Sequence, residues 1–399
     1  MKRAFVYLLI CIISVSLTGC GEIYMDKHEI NEIDLIRAVG LDNIGDNNIR
    51  MILPLLETQS TGGRGSSESS SPGQSRIVKE DGRTIFEAEV KVHSYLMKDL
   101  SWHHVQFVII GEEAAKEDIV KYFDFITRDH EPRLSMLPLI AENDSAENII
   151  DQINTSNTVI AKKLKTITDG TGARSVSSKL ELHDLIKMLD NKYASSYIPS
   201  IRLVKRIERQ GEDKDKKDVE LNGYAIIKGR RLIGYINDDT ARGLNFIKNK
   251  AEDGVIILKD KNGNQISMEM LGAHTDIIPK IKDNKLEVDI KVEAGFAIAE
   301  YEGYKDIFDK KTLDEIVKAE NKIVKQNIDS VVNYAKKNKA DFMGIGDSVY
   351  HKYPVEWDDY YKKNWEDNFA NIKINIDVKS KVSRTFNLRE VTRGKENKK

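Results

Sequence analysis

Two cysteines occur among the 399 residues, Cys11 and Cys20, and the second closes the run Leu17-Thr18-Gly19-Cys20. A thiol is a nucleophile, and an aliphatic residue followed by two small ones lets a peptidase approach the backbone ahead of it. The chemistry offered by this spacing is transfer of a diacylglyceryl group to the Cys20 sulfur, followed by cleavage that makes Cys20 the first residue. Two acyl chains hold a protein to a bilayer stably, where a single chain binds marginally and reversibly. Cys11 lies in the leader as a small hydrophobe, with no role inferred.

The remaining reactive residue types point away from catalysis. No cysteine follows Cys20, and neither G-x-S-x-G nor H-E-x-x-H occurs. Trp102-His103-His104 is the only histidine cluster. Read as strand neighbours, its two imidazoles point to opposite faces, which favours structural or surface roles over a shared metal. Gly62-Gly63-Arg64-Gly65 lacks the Lys-Ser/Thr ending of a phosphate loop. Gly344-Ile345-Gly346 follows a helical pattern rather than a strand and lacks the third glycine of a dinucleotide turn. No catalytic, cofactor or metal set is therefore expected. Tyr350, Tyr353, Trp357, Tyr360, Tyr361, Trp365 and Phe369 put seven rings into twenty residues. Core packing is their first reading. Rings are also over-used at interfaces, so Tyr350, Trp357, Trp365 and Phe369 are the candidates for a partner face.

Composition narrows the class further. Lys and Arg number 62 against 64 Asp and Glu, a net charge of −2, which argues against a nucleic-acid partner. Two cysteines confined to the first 20 residues exclude a disulfide scaffold and a cysteine-built zinc site. Lys2 and Arg3 precede an apolar run from Ala4 to Leu17. As a helix it reaches roughly 21 Å, short of the ~30 Å hydrocarbon core. Residues 1–19 therefore read as a cleaved signal peptide, and its end resembles the bacterial lipoprotein box.

The elements that follow alternate strand and helix. Ile33 to Gly40 with Leu41-Asp42, and Asn48 to Leu56, read as strands. Residues 59–75, rich in Ser and Gly with one Pro, read as a flexible loop. Phe86, Val90, His93 and Met97 fall on one helical face, with Ile85, Val92 and Leu96 beside them. Val105 to Ile110 is apolar at every position but Gln106, the mark of a buried strand. Leu134 to Ala141 is a further strand, and Asp144 with Glu147 reads as a capping box. This half is an α/β or α+β domain over 20–203. The charged run 204–219 is expected to be a solvated linker or long hairpin loop. Strands dominate from Leu221 to Ala299, and Thr312 to Glu315 is a capping box opening the longest helix. The C-terminal domain covers 220–390, with 220–300 and 301–390 as candidate subdomains. A charged, disordered tail spans 391–399. The expected fold class is multi-domain α+β.

The order of these blocks resembles the Ger(x)C family, the lipoprotein C subunits of GerA-type spore germinant receptors. The blocks are Asp26-Lys27-His28-Glu29-Ile30-Asn31, Ala38-Val39-Gly40-Leu41-Asp42, Gly82 to Ala88, His104 to Glu113 and Phe123 to Arg133. They continue with Leu221 to Ile226, Leu232 to Tyr235, Thr240 to Leu244 and Ala340 to Gly346, then Pro354, Trp357, Trp365 and Phe369. One departure is Gly21-Glu22-Ile23-Tyr24, where the family usually has Trp directly after the lipid cysteine. The resemblance implies a non-enzymatic receptor subunit without cofactors. It would be anchored through Cys20 on the outer face of the inner spore membrane, with a multi-pass A subunit and a transmembrane B subunit as partners. The alternative is a stand-alone lipoprotein that captures a solute for a transporter.

Overall fold

The computed structural model describes residues 33–55, 76–154, 159–170, 175–205, 217–283, 285–303 and 309–383. Cys20 with the leader, the 59–75 loop, most of the 204–219 run and the 391–399 tail lie outside these residues.

Strands β1 (Ile33–Leu35), β2 (Ala38–Asn43), β3 (Ile49–Leu55) and β4 (Arg76–Gly82) lead into helix α1 (Ile85–His93). Next come β5 (Asp99–Ser101), β6 (Phe107–Ile110), α2 (Glu112–Glu117), α3 (Ile119–Arg128) and β7 (Leu137–Ala141). Helices α4 (Ala146–Asn154), α5 (Ile160–Asp169) and α6 (Leu182–Asp190) precede β8 (Ser196–Lys205), β9 (Lys217–Lys228) and β10 (Arg231–Ile236). These strands build an eight-stranded sheet in the order β10-β9-β8-β7-β6-β2-β3-β4. Its middle is parallel, β2 against β6, β6 against β7 and β7 against β8, and an antiparallel pair is added at either edge.

A parallel centre must be covered on both faces, and the apolar run of β6 shows how. Val108 and Ile110 enter a core shared with α1, α2, α3 and α6. Phe107 and Ile109 enter the opposite core, filled by α4 and α5. Helix α1 lies against its sheet by a different face from the one the spacing suggested. Ile85, Ala88, Glu89 and Val92 are buried, whereas Phe86, Val90 and Met97 are exposed. The small Ala88 lets the helix approach, and Glu89 is admitted because Trp102 Nε1 donates to it at 2.6 Å. His103 and His104 sit in a turn rather than on a strand.

The charged run 204–219 joins β8 to β9, which pair antiparallel from Ser196–Ile227 to Lys205–Lys217. The sheet is continuous across the expected linker, and the hydrophobic pattern either side of it belongs to neighbouring strands.

Helix α7 (Asp238–Ile247) leads to a second sheet of β11 (Val255–Lys259), β12 (Gln265–Lys282), β13 (Lys285–Tyr301) and, after the helices, β14 (Lys373–Ser383). Helix α8 (Lys310–Lys337) runs 28 residues, about 42 Å. Its cap is Asp309, which accepts from the Thr312 N–H at 3.0 Å, one turn ahead of the expected capping box. Short helices α9 (Ile345–Lys352), α10 (Pro354–Glu356) and α11 (Trp365–Asn371) return the chain to β14. One core unites Phe296 and Val292 of β13 with Val324 and Val331 of α8 and Trp365 of α11. The strand-rich and helix-rich parts after 220 thus pack as one body, because α8 covers the sheet that β12 and β13 form.

Candidate functional site

Of the four rings proposed for a partner face, Trp357 and Trp365 are each 3% exposed and Phe369 is fully buried. They do not form an exposed partner face in this structure. They stack on one another, Trp357 to Trp365 at 4.9 Å and Trp365 to Phe369 at 6.0 Å between centroids. Only Tyr350 of the four stays at the surface, 46% exposed. Cys20 lies outside the described residues.

Beside the rings lies a carboxylate within the Ala340–Gly346 block to which the sequence assigned no role, Asp341. Asp341 is buried at the turn between α8 and α9 and collects four donors. The N–H groups of Gly344, Ile345 and Gly346 donate at 3.0, 3.1 and 2.7 Å, and Trp365 Nε1 at 3.1 Å. Burial pushes the Asp341 carboxyl up, while these donors and the nearby Lys248 ammonium hold it down. Three of the donors are amides at the start of α9, groups a helix cannot satisfy internally. Gly346 is required here, since a Cβ would sit 2.9 Å from Trp365 Nε1 and 3.1 Å from the Trp357 ring. The signal in the sequence is an Asp three residues before Gly-Ile-Gly at a helix end, followed by two tryptophans.

The same hub fastens the two halves of the chain. The Ser195 amide donates to the Asp341 carbonyl at 3.0 Å, and Asn191 Nδ2 to Asp347 at 2.8 Å. Lys228 on β9 reaches the Asn338 carbonyl and pairs with Glu366 at 2.8 Å. A cleft of about 170 Å³ remains between them, lined by Tyr193, Ser195, Lys228, Lys339 and Glu366.

A second acidic group lies at the carboxyl ends of the parallel strands, where open α/β sheets commonly place ligands. A cleft of about 380 Å³ opens there beside Asp42, Glu112, Asp144 and Glu147. Its carboxylates already have work. Asp42 accepts from the Ala146 and Glu147 amides at 2.8 and 2.9 Å, capping α4 from a strand about a hundred residues away. Burial pushes its carboxyl up against those bonds. Glu112 accepts from Tyr235 Oη at 2.8 Å, Lys116 and the Asn143 amide. Glu147 bridges Arg50 and Lys79. Among the described residues no cluster of His, Cys, Asp or Glu is arranged to hold a metal ion.

A larger cavity, about 620 Å³, lies between β11 and the start of α8, where Lys261 pairs with Glu315 at 2.7 Å. The chemistry these sites support is fastening by charge-assisted hydrogen bonds.

Two family models match the chain in tandem. Residues 26–203 match the spore germination protein N-terminal domain, and residues 222–386 the spore germination B3/GerAC-like C-terminal domain. Spore germination protein KC of Bacillus subtilis (strain 168) is 26% identical over 400 residues, covering 96% of this chain and 95% of its own. Spore germination protein A3 of the same organism is 23% identical, with 95% and 96% covered. The crystal structure of the GerBC protein superposes with a TM-score of 0.53 at 16% identity, over 86% of this chain and 96% of that one. At that identity the likeness carries the multi-domain α+β fold.

Proposed function

Because the chain belongs to the Ger(x)C family of spore germination proteins, we propose that it is a non-enzymatic subunit of a nutrient germinant receptor, anchored in the membrane through lipid on Cys20. The observation that carries this reading is the tandem match of both family domains, in order, along most of the chain. The relatives it matches end to end are themselves named as germination proteins. The transporter-lipoprotein alternative draws no support from them.

In this reading Cys20 carries the diacylglyceryl group and the body stands on the outer face of the inner spore membrane. Multi-pass A-type and transmembrane B-type subunits are its partners. Among the described residues no helix is long and apolar enough to cross a membrane. In this reading the lipid on Cys20 is the attachment. The carboxylates at the strand ends and the α8–α9 turn serve to hold helices in place, which fits a body that works through contact.

Replacing Cys20→Ala in the host tests the reading. The folded chain should leave the spore membrane fraction, and germination on nutrients should fall severely. Normal germination with a released chain would refute the anchored-subunit role.

A further inference from the structure

The side that α1 turns away from the sheet exposes apolar side chains beside Lys91 and His93. Phe86 is 60% exposed and Val90, one turn on, 53%. The loop after α1 adds Tyr95, whose hydroxyl donates to Glu80 at 3.2 Å, and Met97, whose side chain stands 98% exposed. The Phe86 ring leans on Phe125 at 6.1 Å, and Phe125 on the buried Trp102 at 5.4 Å, so the patch has a firm base. Scattered surface apolar residues need no explanation, but four within twelve residues, along α1 and the loop after it, form a patch that wants a cover.

The topology says where this patch sits relative to the chain's entry. Strand β1 pairs in parallel with β5, Ile33 opposite Asp99, and Lys98 Nζ lies 3.6 Å from Asp34. The first described residue therefore lies beside the residues that directly follow Met97. Only twelve residues, 21–32, separate Cys20 from this point. Fully extended they span about 43 Å, and as a flexible coil roughly 20 Å. A lipid on Cys20 would hold this end of the molecule within that reach of the bilayer.

We propose that Phe86, Val90, Tyr95 and Met97 form a lipid-docking patch that rests on the bilayer surface. This rests on the anchored reading above and adds an orientation to it. Aromatic rings and a thioether suit the boundary between headgroups and acyl chains, where an apolar body and a polar tip are both accommodated. Docking would fix the stance of the molecule, with the β1–β5 end facing the membrane.

The full-length acylated chain offers a direct test, because the mature body has no cysteine other than Cys20, whose sulfur is occupied. Met97→Cys is labelled with a bimane fluorophore and bound to phosphatidylethanolamine–phosphatidylglycerol vesicles with brominated acyl chains. Ile257→Cys on β11, an exposed position in the second sheet, is the control. The label at 97 should lose most of its emission while that at 257 keeps it. A chain that floats with the vesicles while the label at 97 stays bright and solvated overturns the docking patch and leaves the anchor intact. A label at 97 that is shielded from water yet unquenched overturns it too, and assigns the patch to residues 21–32 or another protein. A chain that does not float overturns the anchor and the patch together.

Discussion

Asp341 keeps almost no contact with water, yet four N–H groups converge on it. Removing an acceptor so placed leaves buried donors unpaired, which costs more than the net value of the bonds. Asp341→Ala should lower stability by about 2–4 kcal/mol in urea unfolding and shift Trp365 emission to the red. Glu320 makes the opposite case. It is fully buried on α8, and neither carboxyl oxygen has a hydrogen-bond partner among the described residues. Burial pushes its pKa up to about 8, with the Arg242 guanidinium pulling it back. An acid whose folded pKa lies above its unfolded value near 4.5 takes up a proton on folding between the two. Its stabilising effect is complete below pH 4.5 and is lost as pH rises through 8. Glu320→Gln should therefore flatten the fall in unfolding free energy between pH 5 and pH 8, and leave the chain more stable than the parent at pH 8. An unchanged slope would mean another group sets it.

At the scale of elements, close approach decides what is tolerated. Helix α7 crosses α8 at Gly243, where a Cβ would overlap the Asn327 carbonyl. Gly243→Ala should cost about 1–3 kcal/mol by forcing the helices apart, although alanine is the better helix former. Thermal unfolding at matched pH measures it. Such elements also show what the sequence could display. Val105 to Ile110 read as a buried strand because apolar run and strand length agree, and the long helix read itself out through its 3/4 spacing. The α1 stripe misled because Phe86 and Val90 are as apolar as Ile85 and Val92. Periodicity marks faces but does not say which of two apolar faces meets the sheet. The cap of α4 was only partly legible: Ser145 just before it accepts from the Asn148 amide, whereas the Ala146 and Glu147 amides go to Asp42 on β2, about a hundred residues away.

The whole molecule consists of a two-faced α/β sheet joined through β9 and β10 to a second sheet under α8, with Asp341 at the seam. The multi-domain α+β class was legible from the alternation of patterns. The unity of the parts after 220 was not legible, because core sharing depends on which face of α8 lands on which strands. The most direct measurement of the central claim is mass spectrometry of the proteins recovered with this chain, tagged at its C-terminus, from detergent-treated membranes of dormant spores. The account predicts multi-pass and transmembrane germinant receptor subunits in the same complex, with an acylated Cys20 peptide. Recovery of a transporter permease, or of an unacylated chain with no membrane partner, would contradict it.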